Sequence, residues 1–243
     1  MILYKIKRAV KKHLLSHEFF YKIWFYSYRI NTGSNVRLPD KDDHLYIDGY
    51  PRSGNTYTVG YLRKALPNFN FASHLHSRAA LKITLRYNLP TFIIIRTPED
   101  TIASNLYLKM TKNYKLDKQL VINEMLLSYI SYYKFVKEKL CLDKLYVMTF
   151  NSCTKSELNV INKIYEIVSG SVNNRYEIQQ ILIQYKHELK QMEQIKESHA
   201  SSLPNKKRQI FKDQNIKKIQ QSSYFNKAFS LYQNLEMHDM TMN

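Results

Sequence analysis

Residues 91–96 (TFIIIR) constrain the fold more than any other part of the sequence. The segment is short, rich in β-branched residues and apolar on both faces, which is typical of a strand buried in a parallel sheet. Residues 44–49 and 145–150 predict two further buried strands, and residues 70–74 predict a shorter one. Helical patterns separate these strands. The sequence therefore predicts an α/β fold with a central parallel sheet flanked by helices.

The length of 243 residues suits one α/β domain. We expect this domain at residues 41–243, preceded by a basic and aromatic helical segment at residues 1–40. Residues 199–212, rich in Ser and Lys, predict a loop. Helices are predicted at residues 55–66, 79–87, 118–140, 156–168, 175–196 and 217–235, with one more opening at residues 97–100.

A glycine-containing loop, residues 49–57 (GYPRSGNTY), lies between a predicted strand and a predicted helix. Such a loop directs backbone N–H groups and a helix N-terminus at one point, which favours a phosphate or a similar anion. The spacing of Gly49 and Gly54 matches a P-loop, but Asn55 stands where P-loop NTPases have lysine. The cation comes earlier, at Arg52. An ordinary turn before a helix is the alternative interpretation.

A second polar segment, residues 96–104 (RTPEDTIAS), follows the strand at residues 91–96. Ligands of parallel sheets bind beyond the carboxyl ends of the strands. Arg96 at such an end could bind a phosphate in bidentate fashion, and the Ser104 hydroxyl could add a donor. The alternative is that Arg96 only pairs with Glu99 or Asp100.

Together the two segments resemble the motifs of cytosolic-type and carbohydrate sulfotransferases, which use 3′-phosphoadenosine 5′-phosphosulfate (PAPS). The family's motif Y-P-K/R-S-G-T-T-W stands here at residues 50–57, and its 3′-phosphate motif R-x-P-x-D-x-x-x-S at residues 96–104. The resemblance is strong over residues 45–110. It implies the P-loop NTPase-like sulfotransferase fold in a single domain. It also implies metal-independent transfer of a sulfuryl group from PAPS to an acceptor hydroxyl.

The resemblance also implies roles for individual residues. Arg52 takes the basic position that supports charge on the bridging oxygen, and Tyr57 takes the aromatic position that contacts adenine. Arg96 and Ser104 take the 3′-phosphate positions. The phosphate-cradle positions fall on Ser53, Gly54, Asn55 and Thr56. The family's late basic loop has the form R-K-G, which is absent here, and a similar basic run offers Lys206, Lys207 and Arg208.

A histidine in the family pattern K-T-H often serves as the catalytic base. Residues 72–74 (ASH) fall at that place, so His74 is the candidate base and His76 is the second. No Asp or Glu lies between residues 69 and 98, which supports a histidine. Ala72 replaces the family's lysine, so assistance to the leaving group rests on Arg52. A base of suitable pKa and fixed cations are what this transfer requires.

Three alternatives stay open. One is a P-loop nucleotide kinase or other NTPase, against which the missing loop lysine counts. Another is a basic nucleic-acid-binding protein, although no recognised nucleic-acid motif is present. In the third, the fold is kept and catalysis is lost, because Asn55, Ala72 and Phe150 depart from the family pattern.

The charge of the chain predicts anionic partners. Lys and Arg number 37 against 20 Asp and Glu, which gives a net charge of +17. With the aromatic N-terminal segment, this favours a glycan or lipid-linked acceptor near a membrane. The segment is expected either to pack its aromatic face on the core or to lie on an anionic membrane.

The remaining residue types bear on location and metals. Cys141 and Cys153 predict free thiols of a reducing compartment, so we expect a cytoplasmic protein, with peripheral membrane contact as an open question. The sequence has no stretch of 18 consecutive apolar residues, so no membrane-spanning helix is predicted. The other histidines lack metal-ligand spacing, and no metal site is expected.

Overall fold

The computed structural model describes residues 17–32, 36–112, 117–171, 175–195 and 206–241. The strands are β1 (Leu45–Gly49), β2 (Phe71–Ser73), β3 (Thr91–Ile95) and β4 (Leu145–Thr149). The helices are α1 (Glu18–Thr32), α2 (Asn55–Ala65), α3 (Arg78–Arg86), α4 (Pro98–Lys112), α5 (Lys118–Glu138), α6 (Phe150–Lys155), α7 (Glu157–Ser169), α8 (Arg175–Ile195), α9 (Lys206–Gln220) and α10 (Phe225–Glu236).

The four strands form one parallel sheet in the order β2-β1-β3-β4. In this register Ile47 lies opposite Ser73 on one side and Phe92 on the other. The predicted α/β fold with a central parallel sheet is therefore confirmed. Because all strands run the same way, the chain leaves the sheet at one edge after every strand, and the polar segments meet there.

The two faces of the sheet pack against different helices. Ile93 and Ile95 of β3 point into a cluster formed with α1, α3, α4, α5 and α10. Phe92 and Ile94 point the opposite way, into a cluster with α2, α7 and α8. This alternation follows from the two-residue period of a strand. Both faces are covered, which explains why β3 is apolar throughout.

The free edge of β4 is closed by the last described residues. Met240 N–H donates to the Val147 carbonyl (3.0 Å), and Asp239 is buried beside it. The Asp239 carboxylate accepts from Thr149 N–H (3.1 Å) and Ser152 Oγ (2.5 Å). Burial alone would raise the pKa of Asp239, but these hydrogen bonds outweigh it and lower the pKa. The segment thus protects an edge that would otherwise be open.

Two predictions about the C-terminal part are wrong. The loop expected at residues 199–212 is helical from Lys206 onward, and the single helix expected at residues 217–235 is two helices, α9 and α10, separated by residues 221–224. The apolar period of α9 is weak because the helix buries little beyond Asn215 and Ile219. Its position is fixed by α4, where the Tyr107 and Phe211 rings meet at 5.4 Å. Residues 199–205 lie outside the described residues.

Helix α1 packs one face on the domain, through the buried rings of Tyr21 and Phe25. Its first turn is tied to α3 by an ion pair between Glu18 and Arg86 (2.5 Å). Residues 1–16, which belong to the same predicted segment, lie outside the described residues. No helix in the described ranges combines the length and apolarity that crossing a bilayer requires.

Candidate active site

The loop between β1 and α2 is held in a conformation that few residues tolerate. Gly54 has φ +103°, and a Cβ there would lie 2.7 Å from the Phe150 ring. Arg52 also has a positive φ of 75°. The N–H groups of Asn55, Thr56 and Tyr57 begin α2 and have no acceptor within the helix.

A cavity of about 620 Å³ opens beyond the carboxyl ends of the strands. This volume is within the range of small-molecule sites, roughly 300–1,000 Å³. Three segments supply its walls: the loop and first turn of α2, the start of α4, and the first turns of α9. The lining residues are Pro51, Arg52, Gly54, Asn55, Thr56, Tyr57, His74, His76, Arg96, Asp100, Ala103, Ser104, Phe150, Thr154, Arg208, Gln209 and Lys212.

Arg52 and Ser104, which belong to motifs far apart in the sequence, meet in the cavity. Arg52 Nε donates to Ser104 Oγ at 3.0 Å. Arg96 Nη1 donates to the Arg52 carbonyl at 3.2 Å, which fixes the strained loop to the end of β3. No carboxylate among the described residues pairs with Arg52. Burial lowers the pKa of Arg52, and the neighbouring charges of Arg208 and Arg96 lower it further.

Arg96 is held from three sides. Its guanidinium stacks on the Phe150 ring at 4.1 Å, and Nε lies 3.8 Å from Asp100 Oδ2. The Tyr129 hydroxyl donates to the Arg96 carbonyl at 2.7 Å. Asp100 also pairs with Lys212, so a single carboxylate is shared between two cations. Pairing with Asp100 therefore occurs, yet it leaves the cluster with a surplus of positive charge.

Ser53 does not reach the cavity. Its side chain is fully buried, and Ser53 Oγ lies 3.0 Å from the Tyr133 hydroxyl. Tyr133 donates its proton to the Ile94 carbonyl (2.8 Å), so its oxygen accepts from Ser53 Oγ and from Tyr50 N–H (3.2 Å). The serine hydroxyl thus fastens the loop to α5 and β3.

Asn55 and Tyr57 line the cavity with side chains that are already engaged. Asn55 Nδ2 donates to the carbonyls of Gly49 (3.4 Å) and Tyr50 (3.3 Å), which closes the loop on itself. The Tyr57 hydroxyl donates to Glu157 Oε1 at 2.7 Å, and the ring is 8% exposed. Tyr57 therefore lines the cavity with a small exposed part of the side chain, and its hydroxyl is anchored on α7.

His74 follows β2 and lies at the cavity with a positive φ of 63°. Ser73 Oγ lies 2.9 Å from Nδ1, and Thr56 Oγ1 lies 3.4 Å from Nε2. A proton on Nδ1, donated to Ser73, leaves Nε2 as the acceptor. Burial and the neighbouring His76 lower the pKa of His74 from 6.5 to about 4. The imidazole is therefore neutral at pH 7.

His76 stands in the opposite electrostatic situation. Its Nδ1 lies 2.8 Å from Asp48 Oδ1 and 2.6 Å from the Gly49 carbonyl. Burial disfavours charge on this ring, but Asp48 and the carbonyl outweigh burial and raise the pKa of His76. Asp48 is fully buried, and it also accepts from the Tyr46 hydroxyl (2.6 Å) and from His76 N–H (2.6 Å).

The structure thus brings together most of the residues that the two motifs nominated. Ser53 is absent from the lining, as are Lys206 and Lys207, which occupy the first turn of α9. Sequence reasoning missed Lys212, which lies one helical turn after Arg208. The misassigned loop concealed that spacing, since residues four apart share a helix face. Gln209, Thr154 and Phe150 were missed as lining residues as well.

The lining fits a ligand with more than one anionic group. Among the described lining residues, four are cations (Arg52, Arg96, Arg208 and Lys212) and one is a carboxylate, Asp100, and Arg96 Nε is buried without a hydrogen-bond partner. Phosphate groups satisfy arginines and helix N-termini in this arrangement. Within the described residues, no three His, Cys, Asp or Glu side chains converge as a metal site would require.

Neither a protein-family model nor a curated protein sequence matches the chain. A solved structure does: mouse sulfotransferase SULT7A1, crystallised in complex with PAP, with a TM-score of 0.55 and 13% identity. The alignment covers 84% of this chain and 88% of the mouse chain. The chain has a sulfotransferase-like fold. In this fold the candidate cavity lies at the carboxyl edge of the parallel sheet, where open α/β sheets bind ligands.

Proposed function

We propose that this chain transfers a sulfuryl group from PAPS to an acceptor hydroxyl. The observation that carries the proposal is the convergence of Arg52, Arg96 and Arg208 on one cavity beside the neutral imidazole of His74. The cations come from a loop, a strand end and a distant helix. Such a cluster is costly unless an anion neutralises it.

The donor would occupy the cationic half of the cavity. The first-turn N–H groups of α2 and the Arg52 guanidinium suit the 5′-phosphosulfate, while Arg96, Ser104 and Arg208 suit the 3′-phosphate. Tyr57 and Phe150 offer apolar surface for the adenine ring of the donor. Positive charge at Arg52 stabilises the phosphate that leaves, because electrostatic stabilisation acts where charge develops.

His74 is the proposed base. In the transfer, the acceptor oxygen forms a bond to sulfur, the bond from sulfur to the bridging oxygen breaks, and the hydroxyl proton passes to Nε2 of His74. Asp48 raises the pKa of His76, so this ring holds a proton to a higher pH than an ordinary imidazole does. Two histidines whose environments push their pKa values apart are the pattern expected of divided acid–base roles. The acceptor class is a glycan or lipid-linked hydroxyl, which the net charge of +17 supports.

Calorimetric titration with PAP, AMP and Mg-ATP tests the donor site. PAP is expected to bind at least ~100-fold more tightly than AMP, because the 3′-phosphate adds charge-assisted hydrogen bonds. Arg96→Lys should reduce this preference, since lysine cannot bind a phosphate in bidentate fashion. Lys64→Gln, on the outer face of α2, is the control. Preference for Mg-ATP over PAP would contradict the proposal and favour the kinase alternative.

Transfer itself is tested with labelled PAPS and a panel of glycan and lipid-linked acceptors. His74→Asn is the sharpest variant, because asparagine tolerates the left-handed backbone of this position. It should lower turnover at least ~100-fold and leave PAP affinity nearly unchanged. Chelation of metals with EDTA is expected to leave turnover unchanged. Equal loss of PAP binding and turnover would show that His74 serves only the structure.

A further inference from the structure

Helix α1 carries an apolar stripe on the face that points away from the domain. Phe19, Ile23, Tyr26 and Ile30 are 69%, 53%, 54% and 83% exposed. Their spacing of four, three and four residues places them along one line of the helix. The opposite face already packs on the core through Tyr21. Within the described residues, the Tyr21 face of α1 packs on the domain, whereas the stripe is exposed.

Two cations lie along one side of this stripe, and the one acid of the helix is already paired. Lys22 and Arg29 lie on the same side of the helix, roughly 70–90° from the stripe at about 100° per residue. The sole acid of α1, Glu18, is engaged by Arg86 of α3. Residues 1–16 add five Lys or Arg and no Asp or Glu to the same end of the sequence. An apolar stripe with cations alongside complements an anionic lipid surface.

From this arrangement, we infer that the outer face of α1 binds an anionic bilayer. The stripe would enter the boundary between headgroups and acyl chains, with Lys22 and Arg29 reaching the lipid phosphates. A second copy of the chain suits the stripe less well. Its four side chains expose on the order of 500 Å², taking about 200 Å² for a large apolar side chain, below the roughly 800 Å² per partner of a standard interface.

The inner face of α1, opposite the stripe, lies close to the segment that carries the two histidines. Tyr21 of α1 hydrogen-bonds to Ser77, the N-cap of α3, which directly follows His76. The inference concerns membrane binding and does not depend on sulfuryl transfer.

Vesicle flotation of the full chain tests it. Vesicles of pure phosphatidylcholine are compared with vesicles containing one third phosphatidylglycerol, at low and high salt. The unmodified chain is expected to float with the anionic vesicles at low salt and to lose most of this binding at high salt. Ile23→Asp combined with Ile30→Asp should lower partitioning at least ~100-fold, because burial of each isoleucine is worth roughly tenfold. Ile183→Asp on α8, 63% exposed, is the matched control.

Circular dichroism and PAP affinity verify that the double variant is folded. Binding by the double variant equal to that of the unmodified chain would overturn the inference, as would equal flotation with neutral and anionic vesicles. Sedimentation measures whether the chain forms a dimer instead. If the unmodified chain does not bind vesicles but forms a dimer that the double variant lacks, the stripe is a protein interface. Absence of PAP binding in all of these proteins, the unmodified chain included, would refute the proposed donor site and leave the flotation result intact.

Discussion

Replacing His76 with asparagine should raise the pKa of His74. The centroids of the two rings are 6.0 Å apart, and a charge on His76 disfavours a second charge on His74. At this distance, one pair of unit charges costs about 0.7 kcal/mol at an effective dielectric of about 80 and about 2.8 kcal/mol at about 20. Since one pKa unit corresponds to 1.36 kcal/mol, removal of a full charge would raise the pKa by roughly 0.5–2 units.

Asp48 also raises the pKa of His74, and this contribution should persist after the replacement. Burial remains as the largest cause of the lowered pKa, so the value should stay below its ordinary 6.5 unless the site opens to solvent. Asparagine suits the positive φ of 47° at this position, and its amide can donate to Asp48.

The assay is a titration of the imidazole nitrogens by two-dimensional NMR between pH 3 and pH 8. The unmodified chain should show His74 near pKa 4 and His76 above its ordinary value. His187→Asn, a change on the outer surface of α8, is the control and should leave both unchanged. A His74 pKa near 6.5 in the unmodified chain, or no rise after His76→Asn, would refute the electrostatic account of the pair.

Gly54→Ala should destabilise the fold by roughly 1–3 kcal/mol and weaken PAP binding, because the methyl group meets Phe150 at 2.7 Å and the backbone has a positive φ. Thermal unfolding measures the stability and calorimetry measures the PAP affinity. An unchanged Tm would contradict the close packing. Asp239→Asn should lower stability by about 1–3 kcal/mol near pH 7, through weakened charge-assisted hydrogen bonds to β4 and α6. The folded-state pKa of Asp239 is lowered, so its contribution to stability should be present above the ordinary value of 3.8 and disappear as pH falls through the folded pKa. Urea unfolding should therefore show a difference in stability between the two proteins at pH 7 that becomes smaller at pH 3.

The sheet and the loop could be predicted because their signals are local. Residues 91–95 are apolar on both faces, and the two motifs each follow a strand, so their meeting at one edge follows from parallel topology. Helix α9 could not be predicted in the same way. It contributes Arg208 and Lys212 to the cavity through its contact with α4, and its few apolar residues do not gather on one face. Tertiary packing decides such a helix, with little help from its periodicity.

The use of individual side chains was also beyond the sequence. Ser53 occupies a position that the motif assigns to the phosphate cradle, yet its hydroxyl binds Tyr133, which lies 80 residues further along the chain. The coupling of Asp48 to His76 is similarly distant. A motif fixes the path of the backbone, whereas the partner of each side chain depends on which helix covers the loop.

The low pKa of His74 gives the two substrates an order. A base with a pKa near 4 is a weak acceptor for a hydroxyl proton, since proton transfer is most efficient when the pKa lies near the working pH. An anionic donor in the adjacent cationic half of the cavity should raise this pKa, so that the base gains strength only after the donor is bound. By reciprocity, protonation of His74 must then tighten PAP binding by the same factor.

Between pH 7 and pH 5 the unmodified chain should therefore gain roughly three- to tenfold in PAP affinity relative to His74→Asn, a comparison that cancels the titration of PAP itself. Parallel pH profiles for the two proteins would show that donor and base are uncoupled, and that His74 reaches no catalytic strength through this route.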